Sequence, residues 1–137
     1  MPLAGNGLPK FSPRPWPGFP VDGLPQIVAL CCKLDGRILI QNWMYESGLE
    51  FCRELNMMGA NIFICDPQRV IVSGPTSLKN SEVFPPDVIQ AIMAIFLLSL
   101  SEKVTTIIHG THFLLRRYPD IINIYQKLGA KIEVLEK

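Results

Sequence analysis

Between Pro15 and Gln26 the chain reads PWPGFPVDGLPQ, four prolines and two glycines around a single charged side chain, Asp22. Proline fixes φ, so this carboxylate rides on a stiff backbone. Two kinds of chemistry suit such a group. It could act as a general base, which must be held within hydrogen-bond reach of the proton it takes. It could equally cap the helix that the following apolar run predicts, accepting backbone N–H groups of the first turn. The residues alone leave both open. Elsewhere, Arg116 and Arg117 in RRYPD are read at the start of a helix, where guanidinium groups and the helix dipole would together attract an anion. His109 and His112 in HGTH have a spacing that a metal could use, but no third ligand stands nearby in sequence, so the reading is a satisfied strand-end histidine and no metal. Cys31, Cys32, Cys52 and Cys65 lack CxxC spacing and are expected to be small buried hydrophobes in a reducing compartment.

These groups need a scaffold, and composition bounds it. With 137 residues, 48% of them hydrophobic, the chain can build one domain with a substantial core. A net charge of +1 provides no bulk field for nucleic acid or a membrane surface, so an anionic ligand must be met by a few placed groups. The start, MPLAGNGLPK, shows no secretory pattern. The longest apolar run, Ile89 to Leu100, is well short of the roughly 20 residues of a membrane span. The expectation is a cytoplasmic α/β protein.

Seven of the twelve prolines fall in residues 1–25, so residues 1–23 read as an extended, proline-rich arm. Residues 24–137 then form the domain. LPQIVALCCKLDG predicts a buried helix, RILIQN a strand, and ESGLEFCRELNMMG an amphipathic helix stopped by Gly59. ANIFIC and RVIVSG, joined by DPQ, predict a hairpin ending at Gly74. The order then recurs: PPDVIQAIMAIFLLSL as a second buried helix, VTTIIHG as a strand, YPDIINIYQKLG as an amphipathic helix and AKIEVLEK as a last strand. MGANIFI and LGAKIEV align with Gly59 and Gly129, and Ala60 and Ala130, each 70 residues apart. That spacing points to one supersecondary unit used twice, over about 24–74 and 83–137. Only the first copy is followed by a partner strand, which suggests a piece of a longer protein. The two buried helices, apolar on nearly every face, are expected at the centre with the amphipathic helices and sheets around them.

PGFPVD before an apolar helix, then MGANIFI, IIHG, RRYPDI and KLGAKIEV, together resemble the C-terminal part of the enolpyruvyl transferases. The resemblance runs from about Ser12 to Lys137 and is nearer to the branch acting on UDP-N-acetylglucosamine than to the shikimate branch. It implies tandem βαβαββ units around buried helices, the inside-out α/β barrel, with about two units present. It also implies transfer of enolpyruvate from phosphoenolpyruvate to a hydroxyl of UDP-N-acetylglucosamine, with release of phosphate and no cofactor, in peptidoglycan precursor synthesis. Asp22 matches the family's proposed general base at the acceptor hydroxyl. Met44 falls where the family makes a backbone contact to the uridine part, although core packing is its plainer reading. Asp87 matches the aspartate of a D-x-R element near the phosphoenolpyruvate site, and Arg116, with Arg117 beside it, matches a substrate-binding arginine. Two arginines of the family pattern are replaced, by Gly48 and Ile89, and loss of a guanidinium fork removes a strong phosphate contact. The family's reactive cysteine loop and Lys-Asn pair have no counterpart here. Residues 1–137 alone are therefore expected to be inactive, with the remaining part of the fold as their partner. The alternatives are a non-catalytic structural or nucleotide-binding module that retains the fold, and an active relative that uses another nucleotide or sugar.

Overall fold

A computed structural model describes residues 8–45 and 48–135 of the chain. The first seven residues of the expected arm, and Glu136 and Lys137 of the expected last strand, lie outside the described residues. The arm joins the fold early. Its Lys10–Phe11 segment is a short strand, β1, parallel to β2 (Gly36–Gln41), with Lys10 opposite Leu39. Between them, a single 3-10 turn at Val21–Gly23 leads into helix α1 (Leu24–Cys31), which carries Pro25 in its first turn where no intrahelical N–H is needed. Helix α2 (Cys52–Met57) follows, shorter than expected because Gly48–Glu50 form turns.

The expected hairpin forms. Strands β3 (Asn61–Asp66) and β4 (Arg69–Gly74) are antiparallel, and β4 lies between β3 and β2 to give the order β1-β2-β4-β3. Asp66 closes the turn, its carboxylate accepting from the Gln68 N–H at 2.8 Å and from Arg69 Nε at 2.8 Å. These bonds, the Gln68 N–H first, hold the Asp66 carboxyl below its usual range. The first unit is thus β1-α1-β2-α2-β3-β4, a complete βαβαββ.

The second unit opens in the same way. Strand β5 (Ser81–Val83) is parallel to β6 (Thr106–Ile108), with α3 (Ile89–Ser99) between them in sequence. Helix α3 starts later than the Pro86 expected, because Pro85 and Pro86 hold an extended approach and Val88 is still extended. Two helices follow where one was read: α4 (His112–Arg117) and α5 (Ile121–Lys127). Pro119 separates them, since the residue before a proline is pushed out of the helical region, and Tyr118 sits at φ −128°, ψ 76°.

The expected last strand is a correction. Residues 130–135 form no strand. Their alternating pattern favours an extended backbone, but no neighbouring strand offers a ladder. The approach to this segment nevertheless copies the first unit. Gly59 and Gly129 both have positive φ, +111° and +106°, directly after the caps of α2 and α5. In the first unit the Asn56 amide brackets the Ile62 backbone, with both bonds at 2.9 Å. In the second, Gln126 Nε2 donates to the Ile132 carbonyl at 2.8 Å. Asn56 and Gln126, like Ile62 and Ile132, are 70 positions apart.

Helices α1 and α3 pack at the centre as expected. Leu24, Val28 and Ala29 of α1 share one core cluster with Ala91, Ala94, Ile95 and Leu98 of α3 and with Ile40, Val70 and Val72 of the sheet. A second cluster joins Ile92 and Phe96 of α3 to Leu114 and Ile121. A polar clamp ties the units: Lys33 Nζ donates to Glu102 Oε2 at 2.9 Å and to the Thr76 carbonyl at 3.1 Å, while the same Glu102 oxygen accepts the Leu78 N–H at 2.7 Å. The Lys33 bond, and then the Leu78 N–H, hold the Glu102 carboxyl below its ordinary range. No helix among the described residues is long and apolar enough to cross a membrane.

Candidate active-site cleft

The starts of α1 and α3 converge on a cleft of about 380 Å³. Val21, Asp22 and Pro25 line it from the first helix, and Pro86, Val88, Gln90 and Ala91 from the second; the segment after β2 adds Asn42, Tyr45, Gly48, Glu50 and Phe51. Asp22 is solvent-accessible on this wall. Its capping alternative is not realised, because the position before α1 is Gly23 and no side chain caps either that helix or the turn before it. The carboxylate is free of the structural task that competed with chemistry.

Asn42 organises the opposite wall. It is 3% exposed, and its Oδ1 accepts the backbone N–H groups of Met44 at 3.1 Å and Tyr45 at 3.3 Å. This is an asparagine turn that follows directly from the end of β2. Its amide nitrogen also occupies the space that a Cβ on Gly48 would need. The turn fixes Tyr45, and Trp43, two residues before it, donates from Nε1 to the Pro13 carbonyl at 2.9 Å, tying the arm to this segment. Asn42, Tyr45, Glu50 and Gln90 were not singled out from the sequence. The available signal was a polar residue ending an apolar strand, and burial then shows that it is structural.

The sequence-derived candidates are only partly brought together. Asp22 lines the cleft. Met44 lies between two lining residues, with its N–H engaged by Asn42. Asp87 lies between Pro86 and Val88, on the approach to α3, with its carboxylate toward Gly110. Arg116 and Arg117 are not among the lining residues, and their expected place at a helix start is corrected. They occupy the last turn of α4, their guanidinium groups over Phe113 at 5.8 Å and Tyr118 at 5.5 Å. There they complement the negative end of the helix dipole and stack on rings. Among the described residues, the cleft lining holds the carboxylates of Asp22 and Glu50 and no lysine, arginine or histidine.

The remaining candidates have structural surroundings. His109 Nε2 meets Glu82 Oε1 at 2.6 Å and its ring stacks on Phe84, 4.3 Å between centroids. Among the described residues no group of three potential ligands could hold a metal. Cys32 and Cys52 are buried, and burial pushes the Cys32 thiol up to about 12 and Cys52 up as well. Such thiols are poor nucleophiles. Two cysteines depart from the expectation: Cys31 is half-buried, and Cys65 is exposed on β3, an edge strand of the sheet among the described residues.

One complete βαβαββ unit and a second that opens in the same way, packed around paired central helices with a cleft at the helix starts, define an α/β scaffold. No protein-family model matches the chain. Among curated proteins, the UDP-N-acetylglucosamine 1-carboxyvinyltransferase of Treponema denticola is 37% identical over 133 residues, which is 97% of this chain and 31% of that protein. The protein of the same name from Bradyrhizobium diazoefficiens is 36% identical over 129 residues, 94% of this chain and 30% of that one. Among solved structures, the enolpyruvyl transferase NikO from Streptomyces tendae superposes with a TM-score of 0.80 at 25% identity, over 92% of this chain and 29% of that one. EPSP synthase from Acinetobacter baumannii, at 17% identity and a TM-score of 0.69, shows the same fold. In sequence and fold the chain resembles about a third of an enolpyruvyl transferase. It spans about a third of the length of the curated relatives it matches.

Proposed function

We propose that the chain supplies one wall of the substrate cleft of a UDP-N-acetylglucosamine enolpyruvyl transferase-like enzyme, and that Asp22 is its general base. The single observation that carries this reading is the accessible Asp22 carboxylate, held on the cleft wall by a proline-framed turn and not used as a helix cap. In the reaction, Asp22 takes the proton of the acceptor hydroxyl as that oxygen bonds to the enolpyruvyl carbon, and phosphate leaves. The uncharged lining of Pro25, Asn42, Tyr45, Gln90 and Ala91 suits a sugar ring. Phosphate, repelled by Asp22 and Glu50, is met elsewhere: Arg116 and Arg117 are this chain's candidates for it, Asp87 orients groups beside them, and other cationic groups come from the remainder of the fold. Met44 contributes backbone near the nucleotide. Residues 1–137 alone release no phosphate from phosphoenolpyruvate, because positioned groups from the other wall are missing.

The second reading, a non-catalytic module that keeps the fold, is favoured by one observation: among the described residues the cleft lining carries Asp22, Glu50 and glycine at position 48, with no basic group. A chimera separates the two. Residues 12–135 replace the matching segment of the Treponema denticola relative, and phosphate release with UDP-N-acetylglucosamine is measured. Turnover that falls by roughly a hundredfold or more in Asp22→Asn, with melting unchanged, supports the base. A folded chimera without turnover supports the module.

A further inference from the structure

The sheet of the first unit turns alternate residues to opposite sides. Ile40, Val70, Val72 and Ile62 point inward and share the main core cluster with α1 and α3. The residues between them face outward, and the register lines four of them up across the strands: Lys10 of β1 is opposite Leu39 of β2, Leu39 opposite Ile71 of β4, and Ile71 opposite Phe63 of β3. Leu39 and Ile71 are half-buried and Phe63 is 66% exposed, so an apolar band runs over the outer side of β2, β4 and β3, about 10 Å long at the usual strand spacing. Cations stand around this band. Lys10 closes its β1 end, Arg37 lies on one flank opposite Ser73, and Arg69 lies on the other opposite Gln41. Arg69 is held by Asp66, but among the described residues no carboxylate is within ion-pair distance of Lys10 or Arg37. An apolar centre inside a polar, charged rim is the anatomy of a protein–protein interface.

From this arrangement we propose that the outer face of the β1-β2-β4-β3 sheet is a docking surface for an acidic, amphipathic segment of a partner protein. The segment's apolar side chains cover Leu39, Ile71 and Phe63, and its carboxylates meet Lys10 and Arg37. Phe63 is the anchor, because an exposed aromatic on a paired strand contributes a large contact area and has little freedom left to lose. The net charge of +1 supplies no general attraction for anions, so it is the placing of these cations around the band that selects the partner. A single-stranded nucleic acid fits less well, since Leu39 and Ile71 offer no ring on which a base could stack. The proposal rests on the first unit alone and is independent of the role of Asp22.

Peptide selection tests it. A random peptide display library is selected on the chain and counter-selected on a variant carrying Phe63→Ser and Arg37→Glu. The enriched peptides carry Asp or Glu beside apolar residues, and one of them, fluorescently labelled, binds the chain saturably by anisotropy. Phe63→Ser and Arg37→Glu each weaken that binding by at least about tenfold, and added salt weakens it further by screening the rim. If either variant melts early, amide shifts of the unaltered chain at Leu39, Phe63 and Ile71 on adding the same peptide report the contact. No enrichment, enrichment of basic or uncharged peptides, or shifts confined to other residues overturns the proposal. Saturable binding of a labelled oligouridylate that the same substitutions abolish overturns the partner class in favour of nucleic acid.

Discussion

The two units share their turns and differ in their sheets. Each has a helix ended by a glycine at positive φ, a backbone clamp six residues on from an amide side chain, and an apolar segment after it. In the first unit that segment is a strand; in the second it is not. The contrast separates two kinds of instruction. Helix ends and turns are written locally and are obeyed in both copies. A strand needs a neighbour, because what favours it is packing and pairing on a shared surface.

The largest expected break in the comparison comes from truncating equivalent apolar groups. Ile40, near the end of β2, has no exposed surface, and Ile40→Ala is expected to cost about 3 kcal/mol through lost burial and a cavity. Ile132→Ala, in the segment without a ladder, is expected to cost under about 1 kcal/mol, since the site can collapse. Urea unfolding of both variants checks this. Equal costs would show that the second unit is as tightly closed as the first.

A finer test uses the shared glycines. Gly129→Ala is expected to cost about 1–2 kcal/mol, the price of a side chain at positive φ. At Gly59 a Cβ would also lie 2.8 Å from the Ser77 carbonyl oxygen, whereas at Gly129 nothing lies within 4 Å. Gly59→Ala is therefore expected to cost about 1 kcal/mol more than its counterpart. Thermal melts of the pair give the difference, and equal shifts would remove the Ser77 contact from the account.

The smallest effect concerns the clamp between the units. Lys33 and the Leu78 N–H favour the charged form of Glu102, so its folded-state pKa lies below the ordinary 4.5. A depressed carboxylate contributes stability that is present above the ordinary value and is lost as pH falls through the folded one. Glu102→Gln is expected to lower the melting temperature slightly at pH 7, and the difference from the parent is expected to shrink as pH falls below 4.5. A gap that persists in acid would assign the effect to packing instead of charge.

Much of this architecture was legible in the residues. The repeat, both central helices and the β3–β4 hairpin follow from periodicity and from Gly59, Asp66 and Gly129. Strands β1 and β5 were not legible, because two or three residues carry no period and β1 lies in proline-rich text. Helix α4 was hidden by the glycine of HGTH, and the break before α5 turns on Pro119. In the cleft, the proline frame pointed to Asp22. Asn42, Tyr45 and Glu50 follow β2 while Gln90 begins α3, and only the packing of the two units makes them neighbours.

One feature of the cleft constrains how this sequence can change. The Asn42 amide fills the space beside Gly48 that any larger residue would claim. A lone Gly48→Arg substitution would meet Asn42 before its guanidinium reached the cleft. Shrinking Asn42 first would release the Met44 and Tyr45 backbone and loosen the wall. The two positions are thus locked together, and the way to a basic group at position 48 runs through a less ordered intermediate, or through both changes at once.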